Sequence, residues 1–202
     1  QKGTTANIMK IILPILFIFF LSSSALKAND SPDLLTLYKE LHAYPELSFK
    51  EEKTSKKLAD IMKILGFEVT ENFGGYGVVA LLKNGEGKTV MLRADMDGLP
   101  VKELTGASYA SKTKSLNQVG DGVFTMHACG HDIHMTSLMG TAINLMKRKD
   151  EWRGNLIILF QPAEEVGSGA RNIIKAGIFE KFPRPDFNLA LHVSADLPAG
   201  KV

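Results

Sequence analysis

The chain has 202 residues, of which 45% are hydrophobic and 23% are charged, and its formal net charge is +2. This composition is typical of a globular protein with one domain, or at most two, and excludes a disordered or fibrous chain. The lysines are scattered among acidic residues and form no basic stripe with interleaved aromatic residues, so the charge pattern argues against a nucleic-acid partner. We therefore expect a small-molecule or peptide partner.

The amino-terminal residues have the pattern of a secretory signal peptide. An unbroken apolar run at 11–21 follows a lysine and precedes small polar residues. This run is shorter than the roughly 20 apolar residues that span a bilayer, which favours cleavage after Ala25 or Ala28 over an uncleaved membrane anchor. Residues 1–28 are accordingly assigned to upstream sequence and signal peptide, and we expect an exported protein, either periplasmic or secreted.

Two helices are predicted at the start of the mature chain, which comprises residues 29–202. Ser31 as N-cap and Pro32 at the first helical position precede apolar residues at helical spacing. A second helical pattern covers 49–66 and stops at Gly66, a common residue at helix ends.

The following segments alternate between strand and helix patterns. Apolar runs at 78–82 and 89–92 flank Asn-Gly-Glu-Gly and predict a β-hairpin, whereas the polar segment 102–124 is expected to be irregular. The remaining predicted elements are a long helix at 131–149, a buried strand from 154, a short helix at 167–179 and a strand at 187–193. This alternation predicts an α/β fold with a mixed β-sheet flanked by helices, in which sites form beyond strand ends.

Residues able to bind a metal ion follow several of these strands or precede the long helix. They are Asp95, Asp97, Cys129, His131, Glu164, Glu165 and His192. Strand ends can converge on one crevice of an α/β sheet. A set of one thiolate, several imidazoles and several carboxylates suits zinc or a similar divalent ion.

The spacing of these residues supports a metal site. Residues two apart in an extended segment point to the same side, so Cys129 and His131 can address one ion, while Gly130 lets the backbone approach closely. Adjacent side chains are expected to diverge, so at most one of Glu164 and Glu165 is expected to bind metal. The other is then free for proton transfer.

Neighbouring polar residues have less specific interpretations. The Asp-Met-Asp triplet at 95–97 places both carboxylates on one side, where one could hydrogen-bond a ligand histidine. His127 and Asp132 are candidates for the same supporting role, and His134 is interpreted as a packing or capping residue. His42 has no partner that the sequence reveals.

Five motifs resemble, in order and at similar spacing, the amidohydrolase branch of the dinuclear metallo-aminoacylase and carboxypeptidase family. They are LHAYPELSFKE, LRADMDGLPV, MHACGHDIHMT, FQPAEEVGSGAR and LALHVSADLPAGKV. That branch includes N-acyl-amino-acid amidohydrolases, hippurate hydrolases and hydrolases of auxin conjugates, and the resemblance covers nearly all of residues 33–202. The chain looks most like exported bacterial members.

The resemblance implies two divalent metal ions (Zn, Mn, Co or Ni) and a role for each of six residues. Cys129 would bridge the metals, His131 and His192 would bind one, Glu165 the other, Glu164 would be the general base and Asp97 would orient the site. The implied reaction cleaves the amide bond of N-acyl amino acids, or related small amides or peptides, by a metal-activated water. It yields a carboxylic acid and an amino acid.

Alternative functions remain at this point. The same family includes carboxypeptidases and dipeptidases, and a non-catalytic metal-binding fragment is a further option. A cysteine hydrolase would instead use Cys129 as its nucleophile.

The family resemblance also concerns the extent of the chain. Family members carry a lid and dimerisation domain and one more histidine ligand beyond the region that corresponds to Val202. The resemblance therefore implies an N-terminal portion of a dinuclear-metal peptidase or aminoacylase-like catalytic domain, truncated before the lid and inactive alone. The full-length form is expected to be a homodimer.

Overall fold

A computed structural model describes residues 32–198, 200 and 201. The predicted signal peptide and the predicted N-cap Ser31 lie outside these residues. The described part contains no helix that is both long and apolar enough to cross a membrane.

The described chain contains five helices and seven strands. The helices are α1 (Leu34–Ala43), α2 (Glu52–Ile64), α3 (His131–Lys147), α4 (Gly169–Lys175) and α5 (Ile178–Lys181). The strands are β1 (Glu68–Thr70), β2 (Val78–Asn84), β3 (Thr89–Asp95), β4 (Lys114–Leu116), β5 (Gly122–Phe124), β6 (Gly154–Gln161) and β7 (Phe187–Ala190).

A mixed sheet of five strands in the order β1-β2-β6-β3-β7 forms the centre of the fold. Strand β2 runs antiparallel to β1 and β6, whereas β3 runs parallel to β6 and β7. Apolar residues of α1, α2 and α3 pack on one face of the sheet, and those of α4 and α5 pack on the other. The predicted α/β fold with a mixed sheet flanked by helices is therefore confirmed.

The predicted β-hairpin of β2 and β3 is wrong, because β6 lies between these two strands. Seven of the eight residues of β6 are buried, and such an apolar strand is most stable with a neighbour on each side. The β2–β3 connection crosses the start of β6 at Gly154, where a Cβ atom would lie 2.2 Å from the carbonyl oxygen of Lys88. Glycine permits this close approach.

Two local predictions also differ from the structure. The N-cap of α1 is Asp33, because its carboxylate accepts a hydrogen bond from the backbone N–H of Thr36, and Pro32 precedes the cap. The segment 102–124, expected to be irregular, contains the hairpin of β4 and β5. The Asn117 side chain supports its turn by accepting two backbone hydrogen bonds within the loop.

Candidate metal site

The parallel strands β3, β6 and β7 end at the same edge of the sheet, and the predicted site residues follow them there. Asp95 is the last residue of β3, and the two glutamates follow β6 by three and four residues. His192 follows β7, and α3 begins at His131 beside them. The strand order therefore brings together residues that are up to 97 positions apart in the sequence, as the sequence predicted.

His131 occupies the centre of this cluster and is fully buried. Its Nε2 atom lies 3.7 Å from one carboxylate oxygen each of Asp95, Glu164 and Glu165. Neither ring nitrogen has a hydrogen-bond partner among the described residues. Two ligand atoms about 2.1 Å from a tetrahedral zinc ion lie about 3.4 Å apart, so this spacing fits atoms that surround a cation.

Cys129 and His192 form a second part of the cluster. The Cys129 Sγ atom lies 3.3 Å from Nε2 of His192, and the His192 Nδ1–H donates to the carbonyl oxygen of Val193 at 2.6 Å. The Nε2 lone pair is thereby left on the sulfur side. Ligand atoms of Cys129, His131 and His192 all lie within 4.8 Å of one another.

Gly130 allows the two ligand candidates on either side of it to face the same space. Its φ angle is +78°, in the left-handed region, and a Cβ atom there would lie 2.5 Å from Cγ2 of Val193. Any other residue would combine backbone strain with a steric clash.

The predicted divergence of Glu164 and Glu165 is wrong, because both carboxylates face His131. The chain after β6 is not extended: Ala163 has φ = 50°, and a turn is closed by the hydrogen bond from the Gly167 N–H to the Glu164 carbonyl. This turn places adjacent side chains on one side. No residue in the sequence signals this turn, since alanine at position 163 is not a residue type that favours positive φ.

Asp97 stabilises this turn by accepting hydrogen bonds from its backbone. Its two carboxylate oxygens accept hydrogen bonds from the backbone N–H groups of Glu164 and Glu165, each at 3.0 Å, and one also accepts from the Ser48 hydroxyl. Its Oδ1 lies 3.5 Å from Nδ1 of His131. Burial by itself raises the pKa of Asp97, but these interactions outweigh it and the net pKa is lowered.

The electrostatics of the cluster favour a bound cation. Burial raises the pKa of Glu165, and the nearby carboxylates of Asp97 and Glu164 raise it further, against an opposing effect of His131. Burial and the charge of Glu165 also raise the pKa of the Cys129 thiol to about 11. A divalent ion would relieve this repulsion and stabilise the thiolate.

The sequence profile described as peptidase family M20/M25/M40 matches residues 91–202, which include all six predicted site residues. The chain belongs to this family. The M20 match covers residues 91–95 of β3 and all of β6, β7 and α3, the elements that position the cluster.

Individual relatives agree with the family match. The chain is 42% identical over 171 residues to a thermostable carboxypeptidase of Saccharolobus solfataricus, covering 83% of this chain and 40% of that protein. It is 43% identical over 162 residues to the hippurate hydrolase of Campylobacter jejuni, covering 76% of this chain and 39% of that protein. The chain thus spans about two fifths of the length of these curated relatives.

A solved structure gives the same result for the fold. The crystal structure of a Bacillus subtilis dinuclear metal binding peptidase from the M20 family superposes with a TM-score of 0.72 and 36% identity. The superposition covers 82% of this chain and 43% of that one. The resemblance to the dinuclear metallopeptidases, inferred from motifs, is therefore confirmed.

Asp95 and His127 also adjoin the cluster in this M20 chain. Asp95 accepts hydrogen bonds from Arg93 on one oxygen and from His134 on the other, so neighbouring side chains engage both of its oxygens. His127 is buried, and neither of its ring nitrogens has a hydrogen-bond partner in the part of the chain that the structure describes. Its predicted hydrogen-bonding role is not seen.

Sequence reasoning missed the role of His42. The His42 ring lies between the carboxylates of Asp132, at 2.6 Å from Nδ1, and Glu103, at 3.0 Å from Nε2. The partners lie 90 and 61 positions away in the sequence, and no local pattern connects them. Asp132 is therefore linked to helix α1 through His42 rather than bonded to a ligand candidate.

Proposed function

We propose that the protein is a metal-dependent amidohydrolase that cleaves the amide bond of N-acyl amino acids. Cys129, His131, Glu165 and His192 are the proposed ligands of two divalent ions. The observation that carries this proposal is the buried His131 Nε2 atom, which faces three carboxylate oxygens at 3.7 Å without a hydrogen-bond partner among the described residues. A histidine in such surroundings is arranged for metal binding.

Glu164 is the proposed general base. Its side chain is 39% exposed, compared with 17% for Glu165, so it lies on the solvent side of the cluster, within reach of water and substrate. There it accepts a proton from the attacking water and returns it to the departing amine. The bound ions supply Lewis acidity toward the amide carbonyl. Asp97 keeps the Glu164 backbone in place.

The proposed substrate class rests on the relatives. Hippurate, the substrate in the name of the Campylobacter relative, is an N-acyl amino acid. The Saccharolobus relative is named a carboxypeptidase, which supports peptides as the alternative substrate of the same site. Both reactions break an amide bond, so the same residues serve either one.

The charges around Cys129 disfavour the cysteine-hydrolase alternative, although the Nε2 atom of His192 lies 3.3 Å from its sulfur. A nucleophilic cysteine reacts as the thiolate, and burial and the charge of Glu165 raise the pKa of Cys129 to about 11. The charges of Glu165, Glu164 and Asp95 disfavour the thiolate unless a cation is bound.

The substitution Glu164→Gln tests the proposal. The complete gene product is purified with and without the substitution, loaded with zinc or manganese, and assayed on N-acetyl amino acids, hippurate and dipeptides. We expect the variant to retain its metal content, measured by elemental analysis, while kcat falls by about 10²–10⁴-fold because the proton acceptor is lost.

The exposed Glu180→Gln is the matched control and should behave as the unchanged protein. Wild-type kcat in the Glu164→Gln variant would refute the base assignment. Activity that survives complete removal of metal by a chelator would refute the metal-dependent reaction itself. The preferred substrate among the three classes decides between amidohydrolase and peptidase.

A further inference from the structure

We propose that His134 is the positioning residue of His192, acting through the backbone of Val193. Three hydrogen bonds form this connection. The Val193 N–H donates to Nε2 of His134 at 3.0 Å, the His134 Nδ1–H donates to Asp95 at 2.7 Å, and the His192 Nδ1–H donates to the Val193 carbonyl at 2.6 Å. The inference rests on the proposed two-metal site, in which His192 is a ligand.

The hydrogen bonds determine the tautomer of His134. A backbone N–H can only donate, so the Nε2 atom that faces Val193 must carry a lone pair. The proton of the neutral ring therefore lies on Nδ1, where it meets Asp95. The other oxygen of Asp95 accepts from Arg93 at 2.8 Å, which anchors the carboxylate to strand β3.

Because both ring nitrogens of His134 are engaged, His134 has no lone pair for a metal ion. By distance alone, Asp95, His131 and His134 could hold an ion together. The two hydrogen bonds of His134 exclude it from that role. Its role is to hold Val193. Val193 in turn accepts from the His192 Nδ1–H, which leaves the His192 Nε2 lone pair directed at Cys129.

Packing supports the same connection. The Val193 side chain lies against Gly130, close enough that a Cβ atom on the glycine would be 2.5 Å from Cγ2 of Val193. Gly130 separates Cys129 from His131, so a shift of Val193 changes the position of His192 relative to both. His192 is otherwise exposed, and the segment that carries it follows the edge strand β7.

Two substitutions separate the halves of the His134 interaction. In His134→Gln, the amide oxygen reaches the place of Nε2 and can accept from Val193. In His134→Asn, the shorter amide reaches the place of Nδ1 and can donate to Asp95, but nothing accepts from Val193. The two variants therefore have similar polarity and differ in the bond that the proposal requires.

The test has one measurement without metal and one with metal, both on the complete gene product. Long-range ¹H–¹⁵N correlation spectra of the metal-free chain report the histidine tautomers, and we expect the Nδ1–H form for His134 and His192. Cobalt titration, followed by the thiolate absorption of Cys129, reports affinity. We expect a loss of about 10–100-fold in His134→Asn, with His134→Gln within about threefold of wild type, as for other groups that orient metal ligands.

A His134 ring with its proton on Nε2 in the unsubstituted chain would overturn the inference, and this measurement requires no variant to fold. An unchanged His192 tautomer together with an unchanged cobalt affinity in His134→Asn would also overturn the inference. Equal losses of cobalt affinity in His134→Asn and His134→Gln would do the same. Failure of the unsubstituted chain to bind cobalt would contradict the proposed function instead, and the metal-free spectra would still decide the role of His134.

Discussion

Residues 163–167 form the turn that carries Glu164 and Glu165, here called the glutamate turn. Three successive backbone N–H groups of this turn donate hydrogen bonds to two buried carboxylates. Asp97 accepts from Glu164 and Glu165, and Glu51 accepts from Ala163 at 2.7 Å. Ala163 has φ = 50°, which costs about 1–3 kcal/mol for a residue with a side chain. These two acids therefore stabilise the strained conformation that makes both glutamates face His131.

Glu51 is predicted to make the stability of the protein depend on pH. Burial raises its pKa from 4.5 to about 7, so the folded state binds the proton more tightly than the unfolded state. The free energy of unfolding should therefore fall as pH rises from 4.5 to 7, by roughly 3 kcal/mol from this residue. Glu51→Gln, which keeps an acceptor for Ala163, should remove this part of the decline.

Urea unfolding of the chain at several pH values, in the presence of a chelator, measures the effect. The neighbouring Glu52→Gln, on the exposed side of α2, is the control and should follow the unsubstituted chain. If the free energy of unfolding falls equally with pH in Glu51→Gln and in the unsubstituted chain, Glu51 has no raised pKa.

Helices α1 and α3 are joined by a buried imidazole. His42, near the end of α1, contacts Asp132 in the first turn of α3 and Glu103 in the loop between β3 and β4. Asp132 also accepts from the backbone N–H of Ile133. This connection holds the start of α3, the helix that carries His131, against α1.

His42 is predicted to stabilise the fold most strongly in its protonated form. Burial lowers its pKa, but the hydrogen bonds to Glu103 and Asp132 outweigh burial and the net pKa is raised above the usual 6.5. Its contribution to the free energy of unfolding is therefore fully present below pH 6.5 and is lost as pH rises through the raised pKa. NMR titration of the ring should give this raised pKa directly.

In His42→Gln, that decline above pH 6.5 should disappear from the urea-unfolding curves. His192→Gln, which removes an exposed histidine, is the control in metal-free protein and should retain the decline. A His42 ring that titrates below 6.5 would contradict the prediction.

The strand order is a property of the whole molecule, and it decides where the site forms. Since β6 lies between β2 and β3, the glutamate turn after β6 is next to Asp95 and Asp97 at the end of β3. If β2 and β3 formed a hairpin, β2 and β7 would occupy both sides of β3 and β6 could not lie beside it. The carboxylates that follow β6 would then be separated from those at the end of β3.

Gly154→Ala is predicted to destabilise the protein because the β2–β3 connection crosses β6 at this point. Gly154 has φ = +121°, and an added Cβ would lie 2.2 Å from the Lys88 carbonyl oxygen. We expect a loss of at least about 2 kcal/mol, or about 4–8 °C in Tm. Gly122→Ala, where an added Cβ meets no atom within 4 Å, is the control and should be close to neutral in thermal unfolding. Equal Tm values for both variants would contradict the crossing.

The types of most elements and the residues of the candidate site are evident from the sequence alone. Apolar spacing indicated α2 and α3, the buried run at 154–161 indicated a strand, and the motifs around Cys129 and Glu165 indicated metal ligands. These signals are local, because side-chain periodicity and residue chemistry can be read within a few turns or strand residues.

Which of these groups meet is seen only in the folded chain. The strand order, the convergence of Glu164 and Glu165, and the partners of His42 and His134 all depend on residues tens of positions apart. A buried polar group takes whichever partner the packing of the sheet and helices brings within reach, and that packing minimises the free energy of the whole chain rather than of one segment. The candidate ligands are therefore visible in the sequence, whereas the hydrogen bonds around them are visible only in the fold.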